Sequence, residues 1–180
     1  RALQNLAEEV SGGEPIALAS GGLAGVMDSS GERIFRSPHL PRWDDKPILA
    51  ELEEIFRAPI HLESDAALAG LGEAVFGAGK GYDIVAYFTI STGIGGARIV
   101  GKQIDIKLFG FEPGHQIINI AGLSQDGRGE LESLVSGSAI EKRYGRKPDQ
   151  ITSPAILTEF ARELAVGLYN SILHWSPEVV

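Results

Sequence analysis

Residues 84–100 read IVAYFTISTGIGGARIV, and this stretch decides the fold of the chain. An apolar run from Ile84 to Ile90 predicts one strand, and a second run from Ala97 to Val100 predicts the next. The glycine-rich sequence Ser91-Thr92-Gly93-Ile94-Gly95-Gly96 connects them. Strand-like and helix-like segments alternate along the rest of the chain, which is typical of an α/β fold.

The segments outward from this stretch follow the same alternation. Further strands are predicted over 15–20, 31–35, 59–62 and 116–120, the first of them ending in a tight turn at Gly21-Gly22. Helices are predicted to begin at Pro47 and after Asp65, over 130–136 and 139–144, and between Pro154 and Pro177. The glycine-rich stretch 77–81 is the best candidate boundary between two lobes.

The composition excludes several classes of protein. Hydrophobic residues make up 43% of the 180 residues, which is enough for a core and argues against disorder. The net charge of −8 argues against binding nucleic acid through a broad basic surface. No run approaches the length of a transmembrane helix. The absence of cysteine excludes disulfides, thiol catalysis and cysteine-based metal sites, and we expect a reducing cytoplasm.

The two ends of the sequence resemble those of an internal piece of a longer protein. Arg1 is followed at once by a helix-like run, and Pro177-Glu178-Val179-Val180 is typical of the start of a buried strand. We therefore expect further chain on both sides.

The glycine cluster over 91–96 has two interpretations. Glycines permit positive φ and leave room for a ligand, so N–H groups turned inward could bind a nucleotide phosphate. An ordinary glycine-rich hairpin fits the same spacing. The pattern is not a Walker motif, because the Gly-Lys-Ser/Thr ending is absent. It is not a Rossmann fingerprint either, because a strand follows it rather than a helix.

Acidic residues and one histidine form the other candidate sites. Asp65 lies where a short strand ends and a helix begins, so its carboxylate could cap the helix or act as a base. Glu112, His115 and Glu132 suit the recognition of a polyhydroxyl compound, because carboxylates accept paired hydrogen bonds from vicinal hydroxyls. The alternatives are a metal site and a structural, hydrogen-bonded histidine, and without cysteine a closed zinc site is disfavoured.

Six stretches in order along the chain carry a family resemblance: 16–23, 37–43, Leu62-Glu63-Ser64-Asp65-Ala66, Thr92-Gly93-Ile94-Gly95-Gly96, Glu112-Pro113-Gly114-His115 and 130–137. Together they cover nearly the whole chain and resemble the motifs of the ROK family of sugar kinases and sugar-responsive repressors, in the actin-like ATPase superfamily. The zinc segment of this family ends in many members as Gly-Cys-x-Glu, which here reads Gly129-Glu130-Leu131-Glu132.

The resemblance implies a two-lobed actin-like ATPase (ribonuclease H-like) fold that is incomplete at both ends. Residues 1–80 would belong to the smaller N-terminal lobe and residues 81–180 to the larger C-terminal lobe. The first phosphate motif of the family, Asp-x-Gly-Gly-Thr, is missing, and its adenosine segment is expected after Val180. The piece by itself is therefore expected to bind ATP poorly and to lack activity.

The resemblance also implies a role for each matching residue. Asp65 would be the general base that takes a proton from a sugar hydroxyl. The implied cofactors are ATP and Mg²⁺, and the implied partners are a small-molecule sugar and a second copy in a homodimer. The sugar would be bound by Gly22, Ser64, Glu112, His115 and Glu132, and the phosphates of ATP by Thr92, Gly93, Gly95 and Gly96.

The chain departs from the family pattern in two further ways. Ser64 stands where the family usually has Asn, and we expect its shorter side chain to weaken or shift one sugar contact. The zinc-binding cysteines are absent from 123–129. We therefore predict no structural zinc, and a different brace for the loop that carries His115 and Glu132.

The leading functional prediction is an ATP-dependent kinase, glucokinase-like, that phosphorylates a hexose or an N-acylhexosamine. The alternative is a sugar-sensing transcriptional regulator with a vestigial kinase fold, which Ser64 and the missing zinc site favour. Asp65 and the glycine cluster favour the kinase, because a sensor needs neither a base nor a phosphate site. For this segment we expect a cytoplasmic location, with neither nucleic acid nor membrane as a partner.

Overall fold

The computed structural model describes residues 2–28, 30–37, 40–105, 110–122 and 129–180. The described residues up to Leu68, together with Gly110, form one compact unit, and the others from Ala69 to Val180 form a second. The division into lobes after residue 80 stays a prediction. None of the helices within the described ranges combines the length and the apolar character that crossing a bilayer requires.

A pair of parallel strands organises the first unit. Strand β1 pairs with β4 in parallel, and β2 pairs with β3 in antiparallel orientation. The strand predicted over 59–62 is confirmed as β4. In chain order this unit contains α1 (Ala2–Ser11), β1 (Ala19–Leu23), β2 (Val26–Met27), β3 (Ile34–Arg36), α2 (Ile48–Phe56) and β4 (Ile60–Ser64).

The strand predicted over 15–20 is displaced toward the C-terminus. Strand β1 begins only at Ala19 and continues through Gly21 and Gly22, so the tight turn predicted at these two glycines is wrong. Gly21 lies opposite Leu62 and Gly22 lies opposite Glu63 in the parallel ladder. This pairing with a strand distant in sequence outweighs the low strand propensity of glycine.

The hairpin of β2 and β3 confirms the predicted return strand. Oδ1 of Asp28 closes the turn by accepting hydrogen bonds from the Ser30 hydroxyl (2.8 Å) and from the N–H groups of Glu32 (3.1 Å) and Arg33 (3.3 Å). The hydrogen bond from Ser30 holds the pKa of the Asp28 carboxyl below its usual range. Gly31 has a φ of 74°, which a residue without Cβ adopts without strain.

Helix α3 (Asp65–Phe76) follows β4 directly and ends where the glycines of 77–81 begin, as predicted. Lys102 holds its C-terminal end, because Nζ donates to the carbonyl oxygens of Ala74 (2.5 Å), Tyr82 (3.0 Å) and Gly79 (3.3 Å). A cation at this end offsets the partial negative charge of the unpaired helix carbonyls.

An antiparallel sheet forms the second unit, in the order β5 (Ile84–Ile90), β6 (Ile94–Val100) and β7 (Gln103–Ile104). The strand predicted over 84–90 is confirmed at both ends. The next strand begins at Ile94, before the predicted start at Ala97, because Gly95 pairs with Thr89 and Gly96 with Phe88. These two glycines are therefore strand residues rather than part of the turn.

The strand predicted over 116–120 is wrong. This segment instead makes a single antiparallel bridge, between Ile117 and Glu130. The N–H groups of Ile118 (2.8 Å) and Asn119 (3.1 Å) both donate to the carbonyl oxygen of Gly129, so the ladder does not extend beyond one pair.

Among the described residues, the second unit also contains α4 (Leu131–Val135), α5 (Gly137–Tyr144) and α6 (Pro154–Trp175). They confirm the helices predicted over 130–136, 139–144 and after Pro154. Helix α5 begins before the predicted Ala139, because the Ser136 hydroxyl accepts a capping hydrogen bond from the Ala139 N–H (3.1 Å). The core joins buried and partly buried side chains: Ile94, Leu131, Leu134, Val135, Phe88, Ile118, Phe160 and Leu164.

Arg143 fastens these helices to one another. Its guanidinium donates to the carbonyl oxygen of Leu134 (2.6 Å), to Glu163 (2.9 Å) and to Glu159 (2.6 Å). Burial lowers the pKa of Arg143, but the hydrogen bond and charge of Glu163, together with the charges of Tyr144 and Glu159, outweigh burial and raise the pKa overall. The hydroxyl of Tyr144 donates to Glu159 (3.0 Å), and burial together with this bond raises the pKa of Tyr144.

Candidate functional site

The first group of candidate residues lies in the first unit, where β1 and β4 end and α3 begins. Gly22 is paired with Glu63, and Leu23 with Ser64. A Cβ on Gly22 would lie 3.3 Å from Cα of Asp65, so this position leaves little room for a side chain. The structure therefore places Gly22 and Ser64 next to Asp65, and their role in sugar binding stays a prediction.

Two side chains, those of Ser64 and Asp65, accept hydrogen bonds from backbone N–H groups at the N-terminus of α3. The hydroxyl of Ser64 accepts a hydrogen bond from the N–H of Ala67 (3.4 Å), which is the contact of an N-cap side chain. Oδ1 of Asp65 accepts from the N–H of the adjacent Ala66 (2.8 Å), while the residue as a whole is exposed. Ser64 thus contributes to starting the helix, and the Asp65 carboxylate is held at its N-terminus, where the helix dipole favours negative charge.

The glycine cluster forms a β-hairpin in the second unit, with its turn at Ser91-Thr92-Gly93. The carbonyl oxygens of Ser91 and Thr92 accept hydrogen bonds from Gly137 (2.7 Å) and Ser138 (3.2 Å), which attaches the turn to the start of α5. The described glycines with positive φ all lie outside this cluster, so Gly93, Gly95 and Gly96 do not adopt the positive φ that the sequence allowed. The hairpin interpretation is confirmed, and phosphate binding at the turn stays a prediction.

Other groups approach Gly93 and Gly96 so closely that a side chain at either position would collide with them. A Cβ on Gly93 would lie 2.5 Å from Oε2 of Glu132. A Cβ on Gly96 would lie 2.6 Å from the carbonyl oxygen of Tyr87 and 2.7 Å from Cγ of Pro113. Gly96 is buried in β6, whereas Thr92 is exposed. Of the predicted phosphate ligands, Thr92 and Gly93 therefore lie in the turn, and Gly95 and Gly96 lie in the strand after it.

Glu132 connects this hairpin with the predicted sugar-binding loop. Its Oε2 accepts a hydrogen bond from the N–H of Ile94 (2.6 Å). A Cβ on Gly114 would lie 2.5 Å from the carbonyl oxygen of Ile94 and 3.3 Å from Cβ of Glu132, so the loop packs directly on both residues. The structure thus brings Glu132 together with the Glu112–His115 segment, in which Glu112 is exposed.

The sequence assigned no role to Glu130, yet this residue is the partner of His115. Oε2 of Glu130 lies 2.9 Å from Nδ1 of His115, and the two side chains are 40% and 37% exposed. One sequence feature could have drawn attention to Glu130: it stands where many family members have the cysteine of the zinc segment.

The residues present do not fit the zinc site of the family. The sequence contains no cysteine. Within the described ranges, no three His, Asp or Glu side chains lie close enough together to hold a metal ion. The zinc-segment stretch 123–128, and residues 38 and 39 of the proline-containing motif, lie outside the described residues. Glu130 and His115 are hydrogen-bonded in this region, and the alternative brace of the loop stays a prediction.

Comparisons with known proteins extend these observations. The chain matches the ROK family over residues 3–177. It is 33% identical over 138 residues to a glucokinase of Thermotoga maritima, covering 74% of this chain and 44% of that protein. It is 29% identical over 174 residues to the xylose repressor of Bacillus subtilis, covering 87% and 45%. A solved ROK hexokinase of Thermus thermophilus matches with a TM-score of 0.73 at 30% identity, covering 99% and 66%.

The chain spans about half the length of the curated relatives it matches. Its relatives include both glucokinases and xylose repressors. The mixed α/β architecture and the ROK neighbours confirm the predicted actin-like ATPase fold. The match over nearly the whole chain confirms the resemblance seen in the motifs, and the chain belongs to the ROK family.

Proposed function

We propose that the complete protein is an ATP-dependent sugar kinase acting on a hexose or an N-acylhexosamine. The observation that carries this proposal is the exposed Asp65 carboxylate at the N-terminus of α3. Oδ1 of this carboxylate accepts the hydrogen bond from the N–H of Ala66 (2.8 Å). The hydroxyl of Ser64 supplies the N-cap contact with Ala67, and the proposal gives the exposed Asp65 carboxylate a role in proton transfer as well. Kinase relatives at 33% and 30% identity support the same activity.

The proposed mechanism needs little covalent chemistry from the protein. Asp65 accepts the proton of the attacking sugar hydroxyl, which requires an approach within about 3 Å. ATP would supply the phosphoryl group, and Mg²⁺, when bound with it, would supply positive charge that offsets the charge developing during the transfer. Positioning of the hydroxyl and stabilisation of charge account for most of the rate enhancement in this class of reaction.

Sugar recognition is assigned to Glu112, His115 and Glu132, with Ser64 and Gly22 beside the base. Oε2 of Glu132 is held by the N–H of Ile94, which fixes the direction of the carboxylate. The proposal therefore gives the sugar hydroxyls to Oε1 of Glu132. Carboxylates are suited to this role because each oxygen accepts more than one hydrogen bond.

Phosphate binding is assigned chiefly to the turn of the hairpin. Thr92 is exposed and offers a hydroxyl, and Gly93 follows it in the turn. Gly96 is buried between Tyr87 and Pro113, so its contribution is to let the strand and the sugar loop pack closely. Gly95, which pairs with Thr89, lies between these two roles.

Asp65→Asn in the complete protein tests the proposal. We expect sugar binding to persist and kcat to fall about 10²–10⁴-fold, the usual contribution of a general base. Turnover is measured as ADP release with ATP and Mg²⁺ over glucose, mannose, fructose, N-acetylglucosamine and N-acetylmannosamine. Asp149→Asn, at an exposed aspartate in a 3₁₀ turn, is the matched control and should retain full activity. Near-normal turnover of the Asp65 variant would show that this residue is not the base.

A sugar-sensing regulator is the second candidate. The xylose repressor relative and Ser64 in place of the family's Asn support it. This candidate predicts that the complete protein binds one sugar of the panel without releasing ADP. Ser64→Asn then provides a direct test, because it should change sugar affinity without creating turnover.

A further inference from the structure

The segment that bears His115 has no cysteine to bind zinc, and a carboxylate occupies the position of one such cysteine. Nδ1 of His115 lies 2.9 Å from Oε2 of Glu130. We propose that Glu130 is a positioning residue for sugar recognition. Its carboxylate accepts a hydrogen bond from Nδ1–H of His115 and so directs Nε2 of the imidazole to a sugar hydroxyl. This inference rests on the sugar-binding role proposed above for His115.

The backbone on either side of this pair is already joined without a metal. Ile117 and Glu130 form an antiparallel bridge, and the N–H groups of Ile118 (2.8 Å) and Asn119 (3.1 Å) donate to the carbonyl oxygen of Gly129. These contacts hold the segment after His115 against the segment that begins α4. The side-chain pair therefore has a fixed frame on both sides.

A second anchor comes from Gln116, the residue next to His115. Its Nε2 donates to the carbonyl oxygen of Pro113 (2.8 Å), and its Oε1 accepts from Nδ2 of Asn170 (3.2 Å). These bonds tie the turn before His115 to α6. These bonds hold the main chain at Gln116. The hydrogen bond from His115 to Glu130 then restricts the rotation of the imidazole ring.

The chemistry of the pair determines which ring nitrogen faces the substrate. A neutral imidazole carries one N–H and one bare nitrogen, and the partner of the first fixes the state of the second. An ionised carboxylate only accepts hydrogen bonds, so Glu130 favours the proton on Nδ1 of His115. Carboxylates are common partners that orient functional histidines in this way.

The neighbouring Glu132 has a different task. Its Oε2 accepts from the N–H of Ile94 at 2.6 Å, on the side of the glycine hairpin. Leu131 lies between the two glutamates and is completely buried, which separates their side chains at the start of α4. In our proposal Glu130 thus orients the histidine, whereas Glu132 contacts the hairpin and binds the sugar.

The test uses Glu130→Ala and Glu130→Gln in the complete protein, with Glu141→Gln on the exposed face of α5 as the control. We expect Glu130→Ala to weaken sugar affinity about 10-fold or more, by calorimetry and as KM, with a smaller change in kcat. Glu130→Gln keeps the volume and an accepting oxygen, so its loss should be smaller. Protein labelled with ¹⁵N-histidine should show Nδ1–H at His115 in the wild type and a shift toward Nε2–H in Glu130→Ala.

The same readouts define failure. If both Glu130 variants keep the wild-type sugar affinity and the same protonated ring nitrogen, Glu130 does not position the histidine. Binding without turnover in the wild type would contradict the kinase, while sugar affinity and the ¹⁵N spectrum would still decide the role of Glu130. If none of the panel sugars binds to the wild type, both proposals are wrong.

Discussion

Gly93 and Gly96 belong to one glycine cluster, but their neighbours differ in how far they can move. A Cβ on Gly96 would meet the Tyr87 carbonyl oxygen at 2.6 Å and Pro113 Cγ at 2.7 Å. The three described atoms nearest to a Cβ on Gly93 all belong to the end of the Glu132 side chain, with Oε2 at 2.5 Å. Backbone and proline ring do not give way, whereas a carboxylate does. We therefore predict that Gly96→Ala destabilises the fold and that Gly93→Ala displaces Glu132.

The expected magnitudes follow from these contacts. Forcing a methyl group into a closely packed site costs about 1–3 kcal/mol of unfolding free energy. At about 2–4 °C per kcal/mol for a protein of this size class, Gly96→Ala should lower Tm by about 2–12 °C. Gly93→Ala breaks the hydrogen bond from Ile94 to the carboxylate, but the freed carboxylate becomes hydrated. We expect a stability loss below about 1.5 kcal/mol and a clear loss of sugar affinity.

Thermal melting and calorimetric sugar titration of the two variants separate these effects. Gly72→Ala is the matched control, because the described atoms leave the space around a Cβ at this position of α3 open. Helix propensity predicts that this control gains about 0.5–1 kcal/mol. The reasoning is refuted if Gly96→Ala has the same melting temperature as the Gly72→Ala control, or if Gly93→Ala binds sugar as tightly as the wild type.

Two further predictions concern the contacts between α5 and α6. Arg143→Met leaves the Leu134 carbonyl and Glu163 without their donor, and should lower the unfolding free energy in urea by about 1–3 kcal/mol; an unchanged midpoint would contradict this. The raised pKa of Tyr144 means that its stabilising contribution is present below the ordinary tyrosine pKa and is lost as pH rises through the folded value. Glu159→Gln should lower that pKa in an ultraviolet titration, and an unchanged titration would show that Glu159 does not contribute.

The sequence predicted best where an element follows from its own residues. The strand over 84–90 and helix α6 are found as expected, because each has a continuous apolar pattern of the right period. The strand over 15–20 was misplaced because the position of β1 depends on its parallel pairing with Ile60–Ser64, which no local pattern reveals. Instead of the expected strand, the segment 116–120 makes one bridge, and its partner is Glu130, which is distant in sequence.

The candidate site shows the same division between local and distant information. Motif matching identified Asp65, Glu132 and His115 as candidates, but it could not show what each side chain contacts. The pairing of His115 with Glu130 depends on two segments meeting, with residues 123–128 between them in sequence. Sequence alone marks Glu130 only as a departure from the family's cysteine, and the structure supplies its partner.

The contacts of Glu132 connect the glycine hairpin with the loop over Glu112–His115. Its carboxylate binds the N–H of Ile94 and fills the space above Gly93 that any larger residue would take. Gly114 lies against Ile94 and the Cβ of Glu132 from the other side. A change in the hairpin turn therefore moves a proposed sugar ligand, even though the turn is proposed to bind phosphate. Substitutions in this hairpin should consequently alter sugar affinity in the absence of ATP, which a purely phosphate-binding loop would not do.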